Sequence, residues 1–317
     1  MRAVQNRRLL ITPYRGIGRS GELRVRGRVL VEKAVTRVQS AEPLWRNVLN
    51  TYRRFESDEV PGAVVRAQHR DAVVEGFTDG EGYFELTLRP PTIDDALWHD
   101  VSLVLPDRDV TATAHVLVPP HEAEFGIISD IDDTIVRTDA TRLLGMVRSV
   151  IRNAASRTAF DGVAELYRAL HRERNPIFYV SSSPWNLYEL LHDFMDLNGI
   201  PPGPMFLQDW GISRSQLIVA PHEVHKLRQI QLLLDFYPHL RFILIGDSGQ
   251  RDPEIYLDVI RTHHERIAAA FIRDVTPNIR DAAVTQIADE ARAAGVEMRY
   301  VRDSSEAMSE AKKMGLI

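Results

Sequence analysis

Four short stretches of the sequence carry residue types whose spacing could do chemistry. Asp130-Ile131-Asp132-Asp133-Thr134 sets two carboxylates at i and i+2. In an extended turn such a pair can address one phosphoryl group from different sides, one carboxylate attacking phosphorus and the other giving a proton to the leaving oxygen. Taken alone, this DxDxT pattern also fits a solvated acidic loop. Ser181-Ser182-Ser183 offers hydroxyls and backbone N–H groups to phosphate oxygens, or equally a helix cap ahead of Pro184. Lys226 could neutralise a bound phosphate, or lie at the surface as most lysines do. Gly246-Asp247-Ser248-Gly249-Gln250-Arg251-Asp252 places two carboxylates five residues apart around a glycine-bearing turn. Hard oxygen ligands of this kind suit Mg²⁺, and a solvated acidic turn is the plain alternative.

The elements that must position these residues alternate in type from Phe125 onward. Apolar strands are predicted at Phe125–Ser129, Ile177–Val180, Phe242–Ile245, Ala268–Ile272 and Met298–Val301. Helices fall at Val163–Arg172, Leu187–Leu197, His225–Phe236, Pro253–Arg266, Ile279–Ala294 and Ser305–Lys313. That alternation predicts an α/β domain with a Rossmann-like, doubly wound parallel sheet over residues 121–317. In such sheets ligands bind beyond the carboxyl ends of the strands. Three of the four stretches stand at such ends.

Residues 1–120 read as a separate, β-rich, sandwich-like domain. Leu23–Val31 alternates as a half-buried strand, Val73–Phe77 and Tyr83–Leu88 read as a hairpin about Asp79-Gly80, and Val101–Leu105 and Ala112–Val118 are further apolar runs. A weak helical interval is predicted at Leu44–Phe55, and Pro119-Pro120 serves as the linker.

In conjunction and in this order, the DxDxT, Ser, Lys and GDx₄D stretches resemble the motif set of the haloacid dehalogenase superfamily, with little room for more than a minimal cap. The resemblance implies roles one residue at a time. Asp130 would be the nucleophile and a Mg²⁺ ligand, and Asp132 the general acid/base with its backbone carbonyl on the metal. Thr134 would order the turn. Ser181, with Ser182 beside it, would hold phosphoryl oxygens, and Lys226 would bridge nucleophile and phosphate. Asp247 would ligate Mg²⁺ directly and Asp252 would support the metal shell. An acid at Asp132 favours phosphatase or phosphomutase chemistry over a dehalogenase. The flanks Ser129–Ile135, Tyr179–Trp185, Gly246–Tyr256 and Ile272–Val275 resemble, more narrowly, the catalytic domain of the actin-patch-associated phosphatidate phosphatase family. That resemblance implies a substrate among phosphatidate and related lipid phosphates. A phosphatase for soluble, protein or nucleic-acid phosphates and a catalytically idle phosphate-binding module stand beside it as alternatives.

Composition narrows the partners. The chain has no cysteine, which removes disulfides, thiolate metal sites and cysteine nucleophiles. Residues 1–60 carry 13 Lys+Arg against 6 Asp+Glu, while the whole chain has a net charge of -5. No apolar run approaches the ~18 residues of a spanning helix. The expectation is a cytoplasmic protein bound to membranes at most peripherally, with nucleic acid disfavoured as a partner. Within 141–157, Leu143, Leu144, Val147, Val150 and Ile151 share one helical face, and Arg142, Arg148, Arg152 and Arg157 add positive charge. Such a helix could settle on anionic lipid or pack its apolar stripe on the domain. Gly16-Ile17-Gly18-Arg19-Ser20-Gly21 matches GxGxxG, but a strand follows it rather than the helix a dinucleotide site requires.

Overall fold

The computed structural model describes residues 8–32, 59–136, 159–208, 222–275 and 279–317. The predicted helical intervals at Leu44–Phe55 and 141–157 lie outside these residues. The described chain falls into two compact units, the first ending at His121 and the second beginning at Glu122.

The first unit contains strands β1 (Leu9–Arg19), β2 (Glu22–Val31), β3 (Val64–His69), β4 (Ala72–Phe77), β5 (Tyr83–Leu88), β6 (Trp98–Leu105) and β7 (Val110–Leu117). They hydrogen-bond in the order β4-β3-β6-β7-β1-β2-β5. All neighbours are antiparallel except β1 and β7, which share a two-residue parallel ladder. Alternating side chains on the strands, among them Val25, Val65, Val101, Leu103 and Val116, fill one core cluster.

The predicted hairpin is corrected here. β4 pairs with β3, and β5 pairs with β2. The β3–β4 connection is only Arg70-Asp71, with Arg70 at φ 52°, so this short loop closes in preference to the five-residue 78–82 segment. In that longer turn the positive φ falls on Gly82 (79°), not on Gly80. Strand β1 escaped sequence reading because of its glycines. A Cβ on Gly16 would stand 2.2 Å from the Arg24 carbonyl oxygen, so the GxGxxG glycines permit close strand contact at a bulge.

The second unit contains β8 (Gly126–Ser129), α1 (Val163–His171), β9 (Ile177–Pro184), α2 (Tyr188–Leu197), β10 (Met205–Gln208), α3 (His222–Phe236), β11 (Phe242–Asp247), α4 (Asp252–His263), β12 (Ile267–Arg273), α5 (Asp281–Ala293), β13 (Met298–Val301) and α6 (Ser304–Lys313). The parallel sheet has the order β10-β9-β8-β11-β12-β13. Counted within this unit, that is the 3-2-1-4-5-6 order of a Rossmann-type sheet. The central strands β8 and β11 are buried throughout, which explains the apolar run that precedes the polar residue at each strand end. Strand β10 was missed because Pro201-Pro202-Gly203-Pro204 reads as a loop. A Cβ on Gly203 would lie 2.2 Å from the Ile177 carbonyl oxygen, so that glycine permits the edge segment to approach β9. No helix among the described residues is long and apolar enough to cross a membrane.

Candidate active site

The chain runs from β8 outward to β9 and β10, then returns to the other side of β8 as β11. The reversal makes the β8–β11 crevice the topological switch point, where ligands bind in open α/β sheets. Asp130 follows β8 and Asp247 ends β11, so these two carboxylates flank the crevice. Ser129 and Ile245 are register partners, and the Asp130 N–H donates to the Ile245 carbonyl at 2.8 Å.

Beyond Asp130 the backbone turns sharply. Asp133 adopts φ 56°, a left-handed conformation that Asp tolerates better than most residues. Ile135 N–H donates to the Ile131 carbonyl at 2.9 Å, closing the turn. This brings the Thr134 hydroxyl back to donate to Asp130 Oδ2 at 3.2 Å. Helix α3 delivers Lys226, whose ammonium donates to Asp130 Oδ1 at 2.8 Å and also to Asp252 Oδ1. The other oxygen of Asp252 accepts the Asp247 N–H at 3.2 Å. Asp252 reaches that position because Gly246 has no side chain; a Cβ there would lie 2.3 Å from Asp252 Oδ2.

Oxygens of Asp130, Asp247 and Asp252 lie within 4.8 Å of one another, and all three residues are buried. Lys226 is the buried cation that faces them. Burial raises the Asp130 carboxyl well above the usual range, and the neighbouring Asp252, Asp247 and Asp132 add to the rise against the opposing pull of Lys226. Burial, with Asp252 beside it, likewise pushes Asp247 up to about 7. Burial disfavours the Lys226 ammonium, but Asp130 and Asp252 outweigh that and hold its pKa above the ordinary value.

Asp247 Oδ1 accepts the N–H groups of Gly249 at 2.7 Å and Gln250 at 2.9 Å. Its Oδ2 is buried and bonds nothing in the protein. An unpaired carboxylate oxygen facing two further carboxylates fits a hard divalent cation in charge and in donor type. This is the chemistry expected of Asp130, Asp247 and Asp252.

Asp132 is not one of the clustered acids. Its Oδ2 accepts the hydroxyls of Ser181 at 2.7 Å and Ser183 at 3.0 Å. Ser182 Oγ is buried and unpaired, as a residue reserved for a ligand oxygen would be. None of the serines caps the turn that follows, which removes the helix-cap alternative. Sequence reading missed two residues. Ser183 was hidden inside a run of identical side chains. Arg280 donates from Nη1 to the carbonyls of Ser248 (2.8 Å) and Gln250 and from Nη2 to Glu254, so it clamps the loop that follows Asp247. No sequence signal links it to that loop.

The fold and site define a parallel α/β unit with three buried aspartates and a lysine at its switch point. Residues 125–274 match the family described as phosphatidate phosphatase APP1, catalytic domain, and every site residue predicted from the sequence lies inside that range. This match agrees with the narrower resemblance read in the motifs, to that catalytic domain. Phosphatidate phosphatase APP1 of Saccharomyces cerevisiae is 35% identical over 162 residues, covering 50% of this chain and 27% of the yeast protein. An uncharacterized protein of Schizosaccharomyces pombe is 29% identical over 155 residues, covering 48% of this chain and 25% of that protein. The matched region thus spans about a quarter of the length of these curated relatives. Among solved structures, a HAD family hydrolase from Deinococcus radiodurans R1 with bound phosphate and sodium aligns at 17% identity and TM-score 0.38, over 62% of this chain and 99% of that one. A phosphoserine phosphatase from T. onnurineus aligns at 14% identity and TM-score 0.35, over 60% of this chain and 95% of that one. Likenesses this distant carry no structural detail.

Proposed function

We propose that this chain is a Mg²⁺-dependent phosphatase that forms an aspartyl-phosphate on Asp130 and acts on phosphatidate or a related lipid phosphate. The observation that carries the reading is the cluster of Asp130, Asp247 and Asp252 at the switch point, held by Lys226 and containing the unpaired Asp247 Oδ2.

In this mechanism the Asp130 carboxylate forms a bond to phosphorus as the bond from phosphorus to the ester oxygen breaks. Asp132 gives its proton to that departing oxygen. It then takes a proton from the water that attacks the aspartyl-phosphate, so phosphate leaves and Asp130 is restored. Ser181, Ser182 and Lys226 hold the phosphoryl oxygens and offset the repulsion between phosphate and carboxylate. Mg²⁺, when bound by Asp130, Asp247 and the Asp132 carbonyl with Asp252 in support, supplies further neutralisation of that charge.

The lipid substrate is supported by the relative's name and by exposed apolar residues that neighbour Lys226 and Arg280 in sequence. Val224 (54% exposed) and Leu227 (40%) flank Lys226 on α3, and Ile279 (81%) precedes Arg280. Arg251 pairs with Glu223 at 2.9 Å, which sets this end of α3 against the loop after Asp247. Exposed apolar side chains on the helix that carries Lys226 and next to Arg280 in sequence suit acyl chains or a bilayer better than a small metabolite. The segments 137–158 and 209–221, where a cap would be inserted, lie outside the described residues, so the minimal cap belongs to this proposal. So do the cytoplasmic, peripherally membrane-bound setting and the division of labour between a β domain ending near residue 120 and a catalytic domain beginning near 121.

The test is phosphate release from phosphatidate vesicles and from soluble sugar phosphates, each with Mg²⁺ and with EDTA. The reading predicts Mg²⁺-dependent release that is fastest from vesicles. Replacing Val224, Leu227 and Ile279 with Asp should slow vesicle hydrolysis while sparing soluble esters. Faster release from sugar phosphates would move the substrate to the soluble class. No release from any substrate would leave a binding module.

A further inference from the structure

We infer that Ser183 is a positioning residue that keeps Asp132 aimed at the leaving oxygen while Ser181 turns to the substrate. The inference rests on the phosphatase reading above and concerns a residue to which the motif resemblance gives no role. A hydroxyl has one proton to donate and lone pairs to accept with. Ser181 Oγ accepts the Ser183 N–H at 2.9 Å and donates its proton to Asp132 Oδ2 at 2.7 Å. If Ser181 is to donate to a phosphoryl oxygen, it must release Asp132. Among the described residues, the remaining side-chain donor to Asp132 Oδ2 is then Ser183 Oγ, at 3.0 Å.

Ser183 is fixed well enough to do this. It is 1% exposed, sits within β9, and is tied to Ser181 through its own backbone N–H. Asp132, by contrast, is half-buried and follows the strand end, on a turn containing a left-handed residue. A carboxyl on such a turn loses its direction unless a buried donor holds one oxygen. With Oδ2 held by Ser183, Oδ1 is left to give its proton to the departing ester oxygen. In the first step the proton passes from Asp132 to that oxygen as the Asp130–phosphorus bond forms and the ester bond breaks. Ser183 itself gives up nothing; it acts through Asp132.

The test exploits leaving-group chemistry. A short-chain soluble phosphatidate releases its diacylglycerol as an alkoxide, which needs the proton, whereas 4-nitrophenyl phosphate releases 4-nitrophenolate, a stable anion that needs it little. The kcat/KM of each reports the steps through departure of the leaving group. Ser183→Ala should lower kcat/KM for the alkyl ester by roughly tenfold or more, a part of the 10²–10⁴-fold that general acid–base catalysis supplies. The aryl ester should lose less than about threefold, which also shows that the variant folds. In an Asp132→Asn background, Ser183→Ala should cause no further loss on the alkyl ester, since a residue acting through Asp132 has nothing left to act on. Equal losses on both esters, no loss on either, or a full additional loss in the Asp132→Asn background would overturn the role. Wild-type protein inactive on both esters would overturn the phosphatase reading itself.

Discussion

Lys226 Nζ reaches Asp130 Oδ1 at 2.8 Å across 96 residues of sequence, with both side chains almost wholly buried. The same amine holds Asp252, so one cation organises two carboxylates from different strand ends. Removing one partner of a buried ion network leaves uncompensated charge and costs about 3–5 kcal/mol. Lys226→Met should therefore lower the stability of metal-free protein at pH 8, and less so at pH 5, where the carboxyls can take up protons. Chemical denaturation at the two pH values reads this out. Equal stability of variant and wild type at pH 8 would contradict the network.

Burial of the carboxylates, with their crowding, gives the metal-free protein a characteristic pH dependence. Asp130 and Asp247 have folded-state pKa values raised above those of an unfolded chain. Their favourable contribution is complete below about pH 4 and is lost as pH rises through the folded values, about 7 for Asp247. The melting temperature in EDTA should fall between about pH 5 and 8. Saturating Mg²⁺ should raise it more at pH 8 than at pH 5, by mass action on the folded state. Asp247→Asn should blunt both responses. A melting temperature insensitive to Mg²⁺ at pH 8 would remove the metal assignment.

Arg280 should matter for metal affinity more than for turnover. Its bonds to the Ser248 and Gln250 carbonyls hold the loop whose N–H groups orient Asp247 Oδ1. Charge-assisted bonds of this kind are worth about 1.5–3 kcal/mol when buried and less when part-exposed. Arg280→Ala should raise the Mg²⁺ concentration for half-maximal activity by about tenfold. It should leave kcat at saturating Mg²⁺ within a factor of about two, and Mn²⁺ titration by spin resonance should show the same weakening. A fall in kcat with unchanged metal affinity would place Arg280 elsewhere in the chemistry.

Much of the second unit was legible because its signals are local. Strands buried on both faces must be apolar, and β8 and β11 show that directly. Their ends could therefore be counted and the acids beyond them compared. What escaped depends on tertiary contact. Strand β10 is an edge segment behind a proline-rich stretch, seated through Gly203. The β4–β5 hairpin failed because two neighbouring alternating segments each found a different partner. Within the site, Asp130, Lys226, Asp247 and Asp252 were each predicted, and the structure brings them together. Ser183 and Arg280 were not, because their partners are set by contacts across 51 residues and across 30 or more residues.

The central claim is that phosphorus is transferred to Asp130, and rapid-quench labelling tests it most directly. Wild-type protein mixed with ³²P-labelled phosphatidate and Mg²⁺ should be trapped within a turnover as an acid-stable, hydroxylamine-sensitive phosphoprotein. Peptide mapping should place the label on Asp130, and folded Asp130→Asn should neither take up label nor turn over substrate. Turnover by Asp130→Asn comparable to wild type, or label on another residue, would contradict the account.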